Sequence, residues 1–114
     1  MVKIYHNPRC SKSRQALELL NSKNIDPEII LYLEKPLTTK EVEDILKMLK
    51  LSARDIMRKK EAEYKEMGLS DTNLDEKELI EAIVKVPKLL ERPIVVNGDK
   101  AVIGRPLENI LDIL

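Results

Sequence analysis

The order of elements in the first 33 residues constrains the fold most. Val2-Lys3-Ile4-Tyr5-His6 alternates apolar and polar residues, the two-residue period of a strand. Asn7-Pro8 breaks it, because Pro8 lacks an amide hydrogen for a ladder and restricts the residue before it. From Ser11 to about Asn21 the chain reads as a helix, with Ala16, Leu17, Leu19 and Leu20 on its inner face. Turn-forming residues follow from Ser22 to Asp26, and Pro27 starts a new extended piece. The unbroken apolar run after Glu28, to Leu33, predicts a strand buried on both faces. This strand–helix–strand unit is long enough for a parallel, right-handed crossover.

The middle of the chain predicts helices. Thr39 with Val42, Ile45, Leu46 and Leu49 reads as a capped helix with one apolar stripe. Ser52 and Asp55 have capping-box spacing, and a short helix through Arg58 follows. Gly68 ends another helical piece. Asp75 with Glu78 opens a further helix, carrying Leu79, Ile80, Ala82, Ile83 and Val84, with Leu74 placed to staple it and Pro87 just beyond.

The close returns to strands. Pro93-Ile94-Val95-Val96 predicts one, Asn97-Gly98 a type I′ hairpin turn, and Ala101-Val102-Ile103 the antiparallel return. Gly104-Arg105-Pro106 leads into a last helix with Leu107, Ile110, Leu111 and Leu114 turned inward. The whole predicts an α/β fold: a four-stranded mixed sheet (β-α-β, then β-β-α) with a helical insertion between the halves at about 38–91. One domain over 1–114 is expected, since that length buries enough surface to fold unaided.

Composition narrows the function. The 20 Lys+Arg balance 20 Asp+Glu, and the only aromatics are three Tyr. A nucleic-acid binder would carry a basic surplus and stacking rings, so none is expected as a partner. The longest apolar run is Ile29 to Leu33, against the roughly 20 residues that span a bilayer, so no membrane association is expected. A strand-like segment from Val2 predicts no secretory signal, and a lone cysteine fits a reducing cytoplasm.

Charge is nonetheless uneven. The first 17 residues hold Lys3, Arg9, Lys12 and Arg14 and no acid. Among them Cys10 sits at the junction of a strand and a helix N-terminus, where free amides, the helix dipole and neighbouring cations all favour an anion. Such surroundings lower a thiol's pKa from about 8.5 to roughly 3.5–7.5, which predicts a thiolate at neutral pH. A lone cysteine is often a buried filler, but Arg9, Ser11, Lys12 and Ser13 are poor company for a core position.

Spacing excludes several other chemistries. Ser13 stands where a dithiol motif needs its second cysteine. Three residues separate Cys10 from Arg14, whereas a cysteine-phosphatase loop has five. One Cys and one His cannot build a zinc site. Asp71, Asn73 and Asp75 imitate a calcium loop, but Glu76 takes the required glycine and Ala82 the required glutamate. No metal is expected.

The run His6-Asn7-Pro8-Arg9-Cys10-Ser11-Lys12-Ser13-Arg14 resembles the active-site loop of the glutathione- and glutaredoxin-dependent arsenate reductases, of the thioredoxin-like superfamily. The likeness continues, in order, through Ile56-Met57-Arg58-Lys59, Glu91-Arg92-Pro93-Ile94-Val95-Val96 and Gly104-Arg105-Pro106, and so covers nearly the whole chain. The short arsenate reductase-like branch is the nearest in length and loop form.

The resemblance implies a thioredoxin-like fold and a catalytic Cys10 that attacks arsenate or a related oxyanion. It implies oxyanion binding by Arg58, Arg92 and Arg105, supporting roles for His6, Asn7, Ser13 and Arg14, and a cis bond before Pro93. It implies no bound cofactor, with glutathione as co-substrate and glutaredoxin as partner. Guanidinium forks suit a tetrahedral oxyanion, whose charge is spread over several oxygens. Read alone, however, Arg58 is an ordinary helix-end charge, Arg92 a partner for Glu91, Arg105 a surface turn residue, and His6 a structural histidine.

The chain also departs from that pattern. Arg9 and Lys12 flank Cys10 where the reductases tend to carry small uncharged residues, and Gly104 stands where some relatives have a second cysteine. An oxidoreductase acting on glutathione mixed disulfides is therefore an alternative. So is a non-catalytic thioredoxin-like regulator, although the regulators that grip RNA polymerase usually keep the two-cysteine motif that Ser13 breaks.

Overall fold

The computed structural model describes all 114 residues, in two compact units: Met1–Lys35 with Arg92–Leu114, and Pro36–Glu91. The first unit contains β1 (Val2–Tyr5), α1 (Ser11–Ser22), β2 (Glu28–Ile30), β3 (Ile94–Asn97) and β4 (Lys100–Ile103), and closes with a 3₁₀ helix at Leu107–Ile113. The second contains α2 (Thr39–Leu49), α3 (Ala62–Glu66), α4 (Glu76–Lys85) and two 3₁₀ turns, Ala53–Ile56 and Pro87–Leu89.

In the first unit the strands form one mixed sheet in the order β2-β1-β3-β4. β1 runs parallel to β2, with Ile4 opposite Ile29, and antiparallel to β3, with Ile4 opposite Val95. Ile4 and Val95 thus present their side chains to the same face of the sheet. Ala16 and Leu20, one helical turn apart on α1, pack with them, as do Ile110 and Ile113. All six are buried, and each large side chain contributes about 1.5–3 kcal/mol. This core fixes α1, and therefore the loop before it, against the sheet.

Five details differ from expectation. β2 ends at Ile30, because Glu34 and Lys35 N–H both bond to Leu31 O and turn the chain. It is an edge strand rather than one buried on both faces, and Ile29 remains 47% exposed. In the hairpin Gly98 alone has positive φ, at 64°, the mark of a type II′ turn with glycine first rather than type I′. The closing helix is 3₁₀, so its inward residues recur every third position as Leu107, Ile110 and Ile113; Leu111 and Leu114 are each 44% exposed. Next, α2 is capped by Thr38 rather than Thr39. Finally, the short helix expected through Arg58 is a 3₁₀ turn that ends at Ile56, because Met57 is extended and bridges to Leu90.

In the second unit three helix starts are closed by side chains, while α3 begins without a side-chain cap bond. Thr38 with Glu41, Ser52 with Asp55, and Asp75 with Glu78 each form a reciprocal capping box. The Arg54 guanidinium donates to Tyr64 Oη and to the carbonyls of Leu69 and Asp71, tying the chain around α3. Glu76 accepts from Ala53 N–H. An isolated bridge pairs Met57 with Leu90, flanked by Arg58 N–H to Leu89 O and Glu91 N–H to Ile56 O. No helix of the chain is long and apolar enough to cross a membrane.

Candidate active site

Between β1 and α1 the chain makes a compact loop held by its own polar groups. Asn7 organises it: its Oδ1 accepts Arg9 N–H at 3.0 Å, an Asx turn, and its carbonyl accepts Cys10 N–H at 3.0 Å. Ser13, fully buried on the first turn of α1, reaches back into the loop. Its Oγ accepts Asn7 N–H at 3.0 Å and lies 2.6 Å from His6 Nδ1. Burial, and behind it the Arg14 charge, hold the His6 pKa below its usual value, so the ring is neutral at pH 7. Ser13 Oγ thus joins the His6 ring and the Asn7 amide in one buried hydrogen-bonded group. Arg14 closes the outside of the loop by donating from Nη1 to Pro8 O at 2.8 Å.

Cys10 is the N-cap residue of α1, with extended φ/ψ of −94° and 122°. Its sulfur is half-buried and free. Burial alone would push the thiol pKa up, but the Ser13 N–H, the Arg92 guanidinium and the Lys12 N–H all favour the thiolate. Their sum leaves the pKa below that of an ordinary thiol. The sulfur stands where a capping oxygen stands in other helices, facing the unpaired amides of the first turn. The direction of this shift is the one the sequence leads to expect.

Two arginines reach this sulfur from the far end of the sequence. Arg105 donates from Nε to Arg92 O at 2.7 Å, which fixes its plane, and its Nη2 lies 3.8 Å from Cys10 Sγ. That distance is long, so of the two side chains Arg92 carries the greater influence on the thiol. Arg92 Nε is itself buried without a hydrogen-bond partner in the chain. The peptide bonds before Pro93 and Pro106 are both cis; only the first was implied by sequence. Gly104 N–H bonds Pro93 O at 2.9 Å, and a Cβ on Gly104 would lie 3.0 Å from Pro93 Cγ. A side chain at position 104 therefore needs Pro93 or its neighbours to shift.

His6, Asn7, Cys10, Ser13, Arg14, Arg92, Pro93 and Arg105 all belong to the first unit. Arg58 belongs to the second, where its guanidinium pairs with Glu61 Oε1 at 2.8 Å. Sequence reasoning pointed to free amides at the helix N-terminus but not to the particular ones, Ser13 and Lys12, and it missed the Arg92 and Pro8 carbonyls. Residue type carries no signal for these, since every residue except proline has both groups.

A lone cysteine at the N-terminus of the first helix of a β-α-β, β-β-α sheet defines a thioredoxin-like protein with a single sulfur at that position. Residues 5–113 match the model of the ArsC family, and the chain belongs to that family. The Escherichia coli (strain K12) "Uncharacterized protein YfgD" is 55% identical over 99% of this chain and 96% of its own. The arsenate reductase of Neisseria meningitidis serogroup A (strain Z2491) is 53% identical over 99% and 97%. Among solved structures, the arsenate reductase from Vibrio cholerae superposes with a TM-score of 0.97 at 46% identity, over 99% of this chain and 97% of that one.

Proposed function

We propose that this chain is a thiol-dependent oxidoreductase that reduces arsenate to arsenite through a covalent adduct on Cys10. One observation carries the reading: the Ser13 and Lys12 amides and the Arg92 guanidinium lower the Cys10 thiol pKa, and Arg105 Nη2 lies 3.8 Å from the sulfur. The names of similar proteins supply the oxyanion.

The chemistry follows from that arrangement. The Cys10 thiolate attacks arsenic, forming an S–As bond as a protonated arsenate oxygen leaves as water. Arginine forks oppose the repulsion between two anions and hold the oxygens of the adduct. An external thiolate then attacks the Cys10 sulfur. The S–S bond forms, the S–As electron pair passes to arsenic, and arsenite leaves. A second external thiol clears the mixed disulfide. Overall, arsenate and two thiols give arsenite, one disulfide and water. With no other cysteine in the chain, both thiols come from outside, and glutathione with glutaredoxin fills that role in this reading. Such a cycle suits a reducing, cytoplasmic compartment.

Within the first unit, Arg92 and Arg105 are the proposed oxyanion ligands, and His6, Asn7, Ser13 and Arg14 hold the loop. For Arg58 the same role rests on the family pattern around Ile56-Met57-Arg58-Lys59 and requires release from Glu61. The test is arsenite production with glutathione and glutaredoxin. Wild-type protein makes arsenite and Cys10→Ser makes none. Turnover that survives Cys10→Ser removes the nucleophile assignment.

A further inference from the structure

We propose that Arg9 and Lys12 form the docking site for the carboxylates of the small anionic thiol that clears Cys10. This rests on the proposed function, in which an external thiol must attack the Cys10 sulfur, and it names the residues that receive the carboxylates of that thiol.

The basis is a sorting of the cations in and around the Cys10 loop. Arg92 and Arg105 are directed at the sulfur, and Arg14 is spent on the Pro8 carbonyl. Arg9 and Lys12 remain. Both are exposed, and no ion pair within the first unit engages either. Their main chains are nevertheless fixed beside the sulfur. Arg9 N–H is tied to Asn7 Oδ1, and Lys12 directs its N–H at Cys10. Each side chain therefore starts within two residues of Cys10, on a rigid backbone, and projects into solvent.

Such an arrangement suits a second reactant better than the first. An oxyanion joined to sulfur is compact and lies at the sulfur itself. A carboxylated thiol is longer: its own sulfur must reach Cys10 while its carboxylates remain outside. Two solvent-facing cations beside the nucleophile draw that anion in and orient it, an effect of charge on encounter that weakens with salt. The step itself is the one already balanced, with the docked thiolate attacking Cys10 sulfur and the S–As pair returning to arsenic.

Thiol–disulfide exchange isolates this docking from arsenate. Cys10 thiolate attacks a symmetrical disulfide to give a mixed disulfide on Cys10 and one free thiolate, and intact-mass spectrometry follows its formation. The anionic probe is oxidised glutathione and the neutral one is bis(2-hydroxyethyl) disulfide. Replacing both residues (Arg9→Gln with Lys12→Gln) should slow oxidised glutathione by about tenfold, as expected for two exposed charges, and the neutral probe by less than about twofold. Arg9→Lys with Lys12→Arg keeps the charges and should restore the anionic rate. Equal slowing of both probes would overturn the proposal, because the cations would then act on the sulfur alone. So would no change with either probe, which would leave the two cations to an acidic protein partner or to none. Failure of wild-type protein to make arsenite would remove arsenate as substrate and leave this rate ratio standing.

Discussion

The two units of the chain differ in how they treat charge and the starts of their longest helices. In Pro36–Glu91, α2, α4 and the 3₁₀ turn at Ala53 all begin with capping boxes, and the three ion pairs Lys40–Asp44, Arg58–Glu61 and Lys88–Glu63 all lie there. In the other unit no ion pair forms, and α1 starts with no side-chain cap bond and no acid in its first turn. Where first-turn amides are satisfied by oxygens, the end of a helix is inert. Where they face a sulfur, the same amides stabilise a thiolate. An uncapped helix lacks about 0.5–2 kcal/mol of stabilisation, and here that deficit coincides with the nucleophile.

The contrast can be broken first at its reactive end. Arg92→Ala or Arg105→Ala should lower arsenite formation by about 100- to 1000-fold, the usual cost of one donor to developing charge, roughly 2.7–4 kcal/mol. Steady-state kinetics measures this, and a loss of tenfold or less at both positions would return them to the class of surface charges. Ser13→Ala comes next. It leaves Asn7 N–H and His6 Nδ1 without their buried partner, at a cost of about 1–3 kcal/mol in denaturant unfolding. It should also raise the Cys10 pKa, read from the pH dependence of alkylation, because the Ser13 amide is no longer held at the sulfur.

At the inert end, Asp75→Ala removes the cap of α4 and should cost about 0.5–2 kcal/mol. Alkylation of Cys10 should keep its wild-type pH profile; a shifted profile would show that the two ends are not independent. The smallest effect is a titration. His6 is the only histidine, so its ring proton signal is unambiguous by NMR, and its midpoint should fall below 6.5. A folded pKa below the unfolded one means that the unfolded chain binds the proton more tightly. The stability associated with neutral His6 is therefore present above about pH 6.5 and is lost as pH falls through the lower folded pKa. A midpoint above 6.5 would contradict the buried, Arg14-facing ring.

Much of this was legible from residue patterns, and the exceptions have physical causes. β1, α1 and the β3–β4 hairpin follow periodicity and turn chemistry. The end of β2 does not, because Leu31, Tyr32 and Leu33 look like strand while main-chain bonds to Leu31 O turn them. The closing segment carries leucine and isoleucine at both three- and four-residue spacings, so an α-helix and a 3₁₀ helix fit it equally well. Packing of Ile110 and Ile113 beside Ile4 and Val95 selects the latter. At the site, the absence of acids before Glu18 exposed Cys10 as a candidate. The clamp from Arg92 O to Arg105 Nε carries no such signature.

A single-turnover experiment tests the central claim most directly: stoichiometric protein, arsenate and glutathione, without glutaredoxin, followed by intact-mass spectrometry and arsenite analysis. The account predicts a glutathione mixed disulfide on Cys10 that forms only when arsenate is present, with one arsenite released per disulfide. Arsenite released while Cys10 stays unmodified, or arsenate left unreduced beside a reactive Cys10, would contradict it.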